Sequence, residues 1–135
     1  MVKLIAGIKG SGKTKTLIDL ANEAGKNSEG SVICIERGTK LIHEIKYYVR
    51  LIDISEYHIT TARSLYGFIC GAYASNHDIT HVFIDSGLKI CAEDIELFCL
   101  FINEIDAFSE KTGINFVVTA SIAEENVPDC IKKYI

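Results

Sequence analysis

Gly7-Ile8-Lys9-Gly10-Ser11-Gly12-Lys13-Thr14 fits the spacing Gly, four residues, Gly-Lys-Thr. Before it runs Val2-Lys3-Leu4-Ile5-Ala6, apolar and strand-like. After it, Thr14 to Lys26 places Leu17, Leu20, Ala21 and Ala24 on one helical face. Strand, glycine-rich loop and helix in that order make a phosphate-binding loop of the Walker A type. Anion binding needs converging backbone N–H groups, hence glycines where φ must be positive or a side chain would clash. Gly10, Ser11 and Gly12, with the helix start at Lys13, Thr14 and Lys15, offer that arrangement, reinforced by the helix dipole. Lys13 adds a full charge against terminal phosphates, and the Thr14 hydroxyl is placed to ligate Mg²⁺.

Outward from the loop, strand-like and helical stretches alternate. After a turn-rich Gly25–Ser31 connection, Ser31 to Glu36 reads as a buried strand, followed by a helical stretch from about Lys40 to Val49 with Leu41, Ile45 and Tyr48 on one face. A third, weaker strand falls at either Arg50–Ile54 or Tyr57–Thr60. Ala62 to Ser75 reads as a helix containing Gly67 and Gly71, a spacing suited to close packing. Thr80 to Asp85 is a fourth strand, and a long helix falls within Leu88 to Lys111, with Leu97, Phe98, Phe101, Ile105 and Phe108 in one stripe. Ile114 to Thr119 is a fifth strand, and Pro128 is positioned to begin a short helix to Tyr134. Continuous apolar strands alternating with helices predict an α/β domain over 1–135: three layers, a parallel five-stranded sheet with helices on both faces.

Composition bounds the partners. The 135 residues are 48% hydrophobic and 24% charged, enough for one domain burying roughly two thirds of its unfolded surface. Mean hydropathy is +0.21, so a homo-oligomeric or protein–protein interface is plausible. The net charge is −4 without a basic run, which gives no footprint for nucleic acid. No apolar run reaches the ~20 residues needed to span a bilayer, and strand and loop at the start leave no room for a leader; the cytoplasm is the expected location. Five cysteines without a CxxC are expected to be reduced and structural.

A Mg²⁺ on Thr14 needs a carboxylate, and Val82-Phe83-Ile84-Asp85 has the Walker B form at the C-terminal end of a strand, where ligands bind in such sheets. Hydrolysis needs a group to orient or deprotonate water. The position after Asp85 is Ser86, not Glu, so Glu36, ending the strand after the first helix, is the candidate base; its bland alternative is a turn-initiating acid. His77, Asp78 and His81 read as solvated surface rather than a metal cluster. Arg37, Arg50 and Arg63 are the only arginines, and none reads as an arginine finger in cis. Tyr47 and Tyr48 read as core rather than as an adenine platform.

Taken together, these motifs resemble the ATP-binding core of RecA-type recombinases and their relatives. That resemblance implies a P-loop NTPase fold in which the fifth strand inserts between the P-loop and Walker B strands. It implies ATP and Mg²⁺ as cofactors, Glu36 and Lys13 as catalytic groups, Thr14 and Asp85 as metal ligands, and a polar residue, Thr119 or Ser121, ending the strand after Walker B. The chain is also similar to a small bacterial family of ATP-binding proteins sometimes labelled PilT-like (twitching motility). Motor ATPases are much longer, however, and their extra domain and histidine and aspartate boxes have no match here. No segment resembles paired DNA-binding loops, so recombination is not carried over.

The expectation is a small Mg-dependent ATPase with slow intrinsic turnover. Its rivals are a nucleotide-sensing module without hydrolysis and a nucleoside or nucleotide kinase, although three scattered arginines do not make a lid. Absence of an Asn/Thr-Lys-x-Asp motif favours ATP over GTP.

Overall fold

Apolar strands and amphipathic helices alternate along the computed structural model, which describes residues 1–135. The elements are β1 (Val2–Gly7), α1 (Lys13–Asn27), β2 (Ser31–Glu36), β3 (Arg50–Asp53), α2 (Ala62–Ser75), β4 (Ile79–Ile84), α3 (Gly87–Ile90), α4 (Ile95–Thr112) and β5 (Asn115–Ser121). Short 3-10 turns occupy Ile54–Tyr57, Glu124–Asn126 and Lys132–Tyr134. All five strands are parallel, in the order β1-β5-β4-β2-β3. β5 therefore separates β1, which feeds the glycine-rich loop, from β4, which leads to Asp85. That is the insertion the family resemblance implies.

Successive strand residues face opposite sides of the sheet, and both sides are apolar. One side presents Leu4, Ile35, Ile84 and Val118 to Phe98, Phe101 and Ile105 of α4, with Leu65 and Ile69 of α2 beyond. The other presents Cys34, Phe83 and Val117 to Leu17, Ile18 and Ala21 of α1. Burial on both faces is why these strands read as continuous apolar runs rather than alternating ones. No helix is long and apolar enough to cross a membrane.

Two stretches differ from their helical pattern. Residues 39–49 form successive turns rather than a helix. Their backbone is captured from outside: the Glu36 carboxylate accepts the N–H groups of Lys40 (3.2 Å) and Leu41 (3.0 Å). The Asn22 amide on α1 likewise donates to the Glu44 carbonyl (2.9 Å) and accepts from Lys46 N–H (2.8 Å). Leu41 and Ile45 still bury their side chains against α1, with Val49 in the place expected of Tyr48, so the apolar face was right in part and the helix was not. Tyr48 is half-exposed and Tyr47 is 97% exposed, which corrects their assignment to the core.

The expected long helix from Leu88 is two helices. α3 closes in a Schellman arrangement, with Glu93 N–H donating to Leu88 C=O (2.9 Å) and Ala92 N–H to Lys89 C=O (3.1 Å). Ala92 and Glu93 both have φ of 59°, a left-handed conformation usually left to glycine. Asp94 then caps α4 by accepting Leu97 N–H at 3.1 Å. Leu97 points to solvent, leaving Phe98, Phe101 and Ile105 as the buried stripe.

Smaller differences follow the same logic. The third strand is Arg50–Asp53, at the sheet edge. A Cβ on Gly67 or Gly71 would meet no atom within 4 Å, so neither serves close packing. Pro128 starts a turn, and only Lys132–Tyr134 is helical, as 3-10. Cys34, Cys91 and Cys99 are buried, and burial pushes their thiols up to about 12, 11 and 12 respectively. Cys130 is exposed rather than structural.

One tight contact fixes α3 against the sheet. A Cβ on Gly87 would lie 2.6 Å from Val118 Cγ1 and 3.0 Å from Phe98 Cε1. Both neighbours are fully buried. Gly87→Ala is therefore expected to cost about 1–3 kcal/mol by overpacking, measured by denaturant unfolding; an unchanged midpoint would contradict this packing.

Candidate functional site

The site lies where the strands' C-terminal ends meet the loop between β1 and α1. Gly10 and Gly12 adopt φ of 85° and 88°, and a Cβ on either meets nothing within 4 Å. Backbone conformation, rather than crowding, therefore demands glycine here. Gly12 is the α1 N-cap and carries no capping side chain. The first N–H groups of α1 thus lack a side-chain acceptor at this end, the arrangement that attracts an anion. The Lys13 ammonium donates to Ile8 C=O (2.9 Å), and Ser11 N–H converges on the same carbonyl (3.2 Å).

Facing the loop is Asp85, the residue immediately after β4, only 8% exposed. Its backbone N–H donates to Ile35 C=O (2.9 Å), tying the end of β4 to β2. Its Oδ1 accepts the hydroxyls of Thr14 (3.2 Å) and of Thr119 on β5 (2.9 Å). Thr119 Oγ1 in turn accepts Ser86 N–H at 2.7 Å. Ser86 reaches this geometry with φ of 59°, a left-handed turn that swings the chain from β4 into α3. Loop, β4 and β5 are thus joined through one carboxylate oxygen. Of the two polar residues expected near the end of β5, Thr119 makes this contact, and Ser121 lies on the wall of the adjoining cavity.

That cavity, about 360 Å³, is lined by Gly10, Lys13, Thr14, Asp85, Thr119 and Ser121 together with Lys9, Lys40, Leu88, Lys89 and Glu93. A smaller recess of about 40 Å³ adjoins it and shares Lys40, Asp85, Ser86 and Lys89, with Glu36, Arg37 and Ile90 on its wall. The larger space suits a small charged molecule; the smaller one suits only a few waters. Lys15 stands outside both, 3.5 Å from Asp19 on the exposed face of α1.

Glu36 is buried at the end of β2, beside Asp85 in the parallel pairing that aligns Ile35 with Ile84. Burial raises its pKa; the N–H groups of Leu41 and Lys40 pull it back, and nearby Asp85 and Asp53 push it up again. Each carboxylate oxygen holds one N–H, which leaves lone-pair capacity on both.

No group of three or more His, Cys, Asp or Glu side chains converges as a metal site. A hard cation at Asp85 would take Thr14 as its other protein ligand and complete its shell with water and phosphate, the usual donor set for Mg²⁺. The oxygens needed already lie within 3.2 Å of each other. His81 hydrogen-bonds Thr80 (2.9 Å) and His77 stacks on Tyr73, so neither approaches this region.

Lys40, Lys89 and Glu93 carry no motif, and sequence reasoning passed over them. The available signal was spacing: each lysine follows a strand-end acid, Glu36 or Asp85, by four residues. Compared with known proteins, the chain matches no family model and no curated sequence.

Proposed function

We propose that this chain is a small Mg-dependent ATPase with a RecA-like P-loop core, acting in the cytoplasm with slow intrinsic turnover. The observation that carries the reading is the junction at Asp85 Oδ1, where Thr14 of the glycine-rich loop and Thr119 of β5 meet the acid ending β4. A threonine hydroxyl and a strand-end aspartate brought together from 71 residues apart are the two protein groups a nucleotide-bound Mg²⁺ requires. The interposed β5 adds support for a RecA-like core, and the absence of a guanine-specificity motif favours adenine.

In this reading Lys13 and the loop amides hold the phosphates, and Thr14 and Asp85 hold the cation, which when bound neutralises charge on the terminal phosphates. Glu36 faces the small recess and takes the proton of a water seated there. The water oxygen bonds to the terminal phosphorus as the bond to the bridging oxygen breaks, giving ADP and phosphate. A recess of about 40 Å³ has room for water but not for a nucleoside acceptor, which favours hydrolysis over the kinase alternative. Binding without hydrolysis has one observation in its favour: Glu36 already accepts an N–H on each oxygen.

Phosphate release from ATP tests the choice. The wild type is expected to release phosphate slowly with Mg²⁺ and to stop when the metal is chelated. Tight ATP binding without phosphate release would favour the sensing module. Release only when a nucleoside is added would favour the kinase.

A further inference from the structure

The cavity carries more positive charge than its motifs account for. Lys9, Lys13, Lys40 and Lys89 all line it, and none is in a salt bridge; the molecule's two ion pairs, Lys15–Asp19 and Lys132–Asp129, both lie elsewhere. In a chain of net charge −4, four unpaired lysines against two carboxylates, Asp85 and Glu93, around one cavity are a local excess. Such an excess suits a ligand with several negative charges.

Lys40 and Lys89 hold equivalent places on neighbouring strands. Lys40 follows Glu36 of β2 by four residues, and its N–H is fixed by that carboxylate while Leu41 beside it is buried. Lys89 follows Asp85 by four residues, on α3, between the buried side chains of Leu88 and Ile90. Both residues line the large cavity and the small recess, so they stand at the boundary between the two. No residue of the glycine-rich loop lines the recess, so the boundary is the side of the cavity away from that loop.

Resting on the nucleotide-binding reading above, we infer that Lys40 and Lys89 bind the terminal phosphate and supply from within the chain the positive charge that related sites recruit as an arginine finger. Such a cation stabilises charge on the transferring phosphoryl oxygens. A lysine ammonium does so as a point charge, without a guanidinium's paired geometry. Arg37 lines the recess but not the larger cavity, so Lys40 and Lys89 are the cations shared by both spaces. Two cations placed at the third phosphate also favour triphosphate over diphosphate.

The test compares ATP and ADP, each with Mg²⁺, in the wild type, the Lys40→Ala/Lys89→Ala double variant and the matching double arginine variant. Both lysines are exposed, so the fold is expected to survive the changes. The alanine variant is expected to lose at least ~10-fold in ATP affinity, as fits the loss of charged contacts, with ADP affinity within about twofold of wild type. Its phosphate release should fall further, and the arginine variant should regain a substantial part of both. Wild-type turnover per chain should not change with protein concentration. An unchanged ATP-to-ADP preference in the alanine variant, or turnover per chain that climbs with protein concentration, would overturn the assignment while leaving the nucleotide site intact. Failure of the wild type to bind either nucleotide would overturn the site reading itself, and this assignment with it.

Discussion

Glu36→Gln is expected to bind ATP with Mg²⁺ as tightly as the wild type and to release phosphate roughly 10²–10⁴-fold more slowly, the usual contribution of a positioned general base. The amide keeps the shape of the carboxylate and one acceptor oxygen, so one of the two N–H groups at Lys40 and Leu41 keeps its partner while the other loses it, and the amide cannot take a proton. The pH profile supplies an independent reading. Burial raises the Glu36 pKa above its ordinary value of 4.5. The base must be ionised to act, so kcat/KM should fall as pH drops through that raised value, on an acid limb above the normal glutamate range. Phosphate release by Glu36→Gln equal to wild type, or no acid limb at all, would make Glu36 a turn-capping residue only.

Asp85→Asn is the second large effect. Asp85 provides the one carboxylate within hydrogen-bonding distance of the Thr14 hydroxyl. Removing its charge should abolish the dependence of ATP turnover on Mg²⁺ and lower the rate by on the order of 10²-fold or more, since a bound cation is worth several kcal/mol in such reactions. The fold should persist. The Thr14 and Thr119 hydroxyls can rotate to accept from the amide, and the Ser86 N–H keeps its bond to Thr119. A folded Asp85→Asn protein with wild-type Mg²⁺ dependence would remove Asp85 from the site.

Much of the sheet could be read from the chain because its signal is redundant. β2, β4 and β5 are buried on both faces, so each appears as an unbroken apolar run, and Gly113 at the end of α4 marks a boundary with φ of 81°. The two misread stretches have different causes. Helical periodicity records which side chains face the core, and 41, 45 and 49 do so from successive turns as well as they would from a helix. What prevents the helix is a carboxylate on β2 and an amide on α1, neither of which is local to the stretch. The break at Ala92 and Glu93 was hidden because a Schellman close normally shows a glycine, and here two other residues take the left-handed conformation.

The same limit applied at the site. Motif spacing singled out Thr14 and Asp85, which the fold brings within 3.2 Å. Its only trace of Lys40 and Lys89 was their shared offset of four residues from Glu36 and Asp85, and exposed lysines on a turn and on a short helix otherwise look like ordinary surface. Only the parallel pairing of β2 with β4 brings them to a common boundary. Thr119 or Ser121 was expected only from the family resemblance, as a polar residue ending that strand, and the Thr119 bond to the Asp85 carboxylate depends on β5 lying next to β4.

The proposed site stands or falls on whether the loop from Gly7 to Thr14 and Asp85 together hold a nucleoside triphosphate. Calorimetric titration of ATP with Mg²⁺ into the wild type and into Lys13→Ala tests it most directly. One ATP per wild-type chain is expected, with binding at least about 10-fold weaker once the Lys13 charge is removed. A wild type that takes up no ATP, or a Lys13→Ala variant that binds it equally well, would contradict the claim.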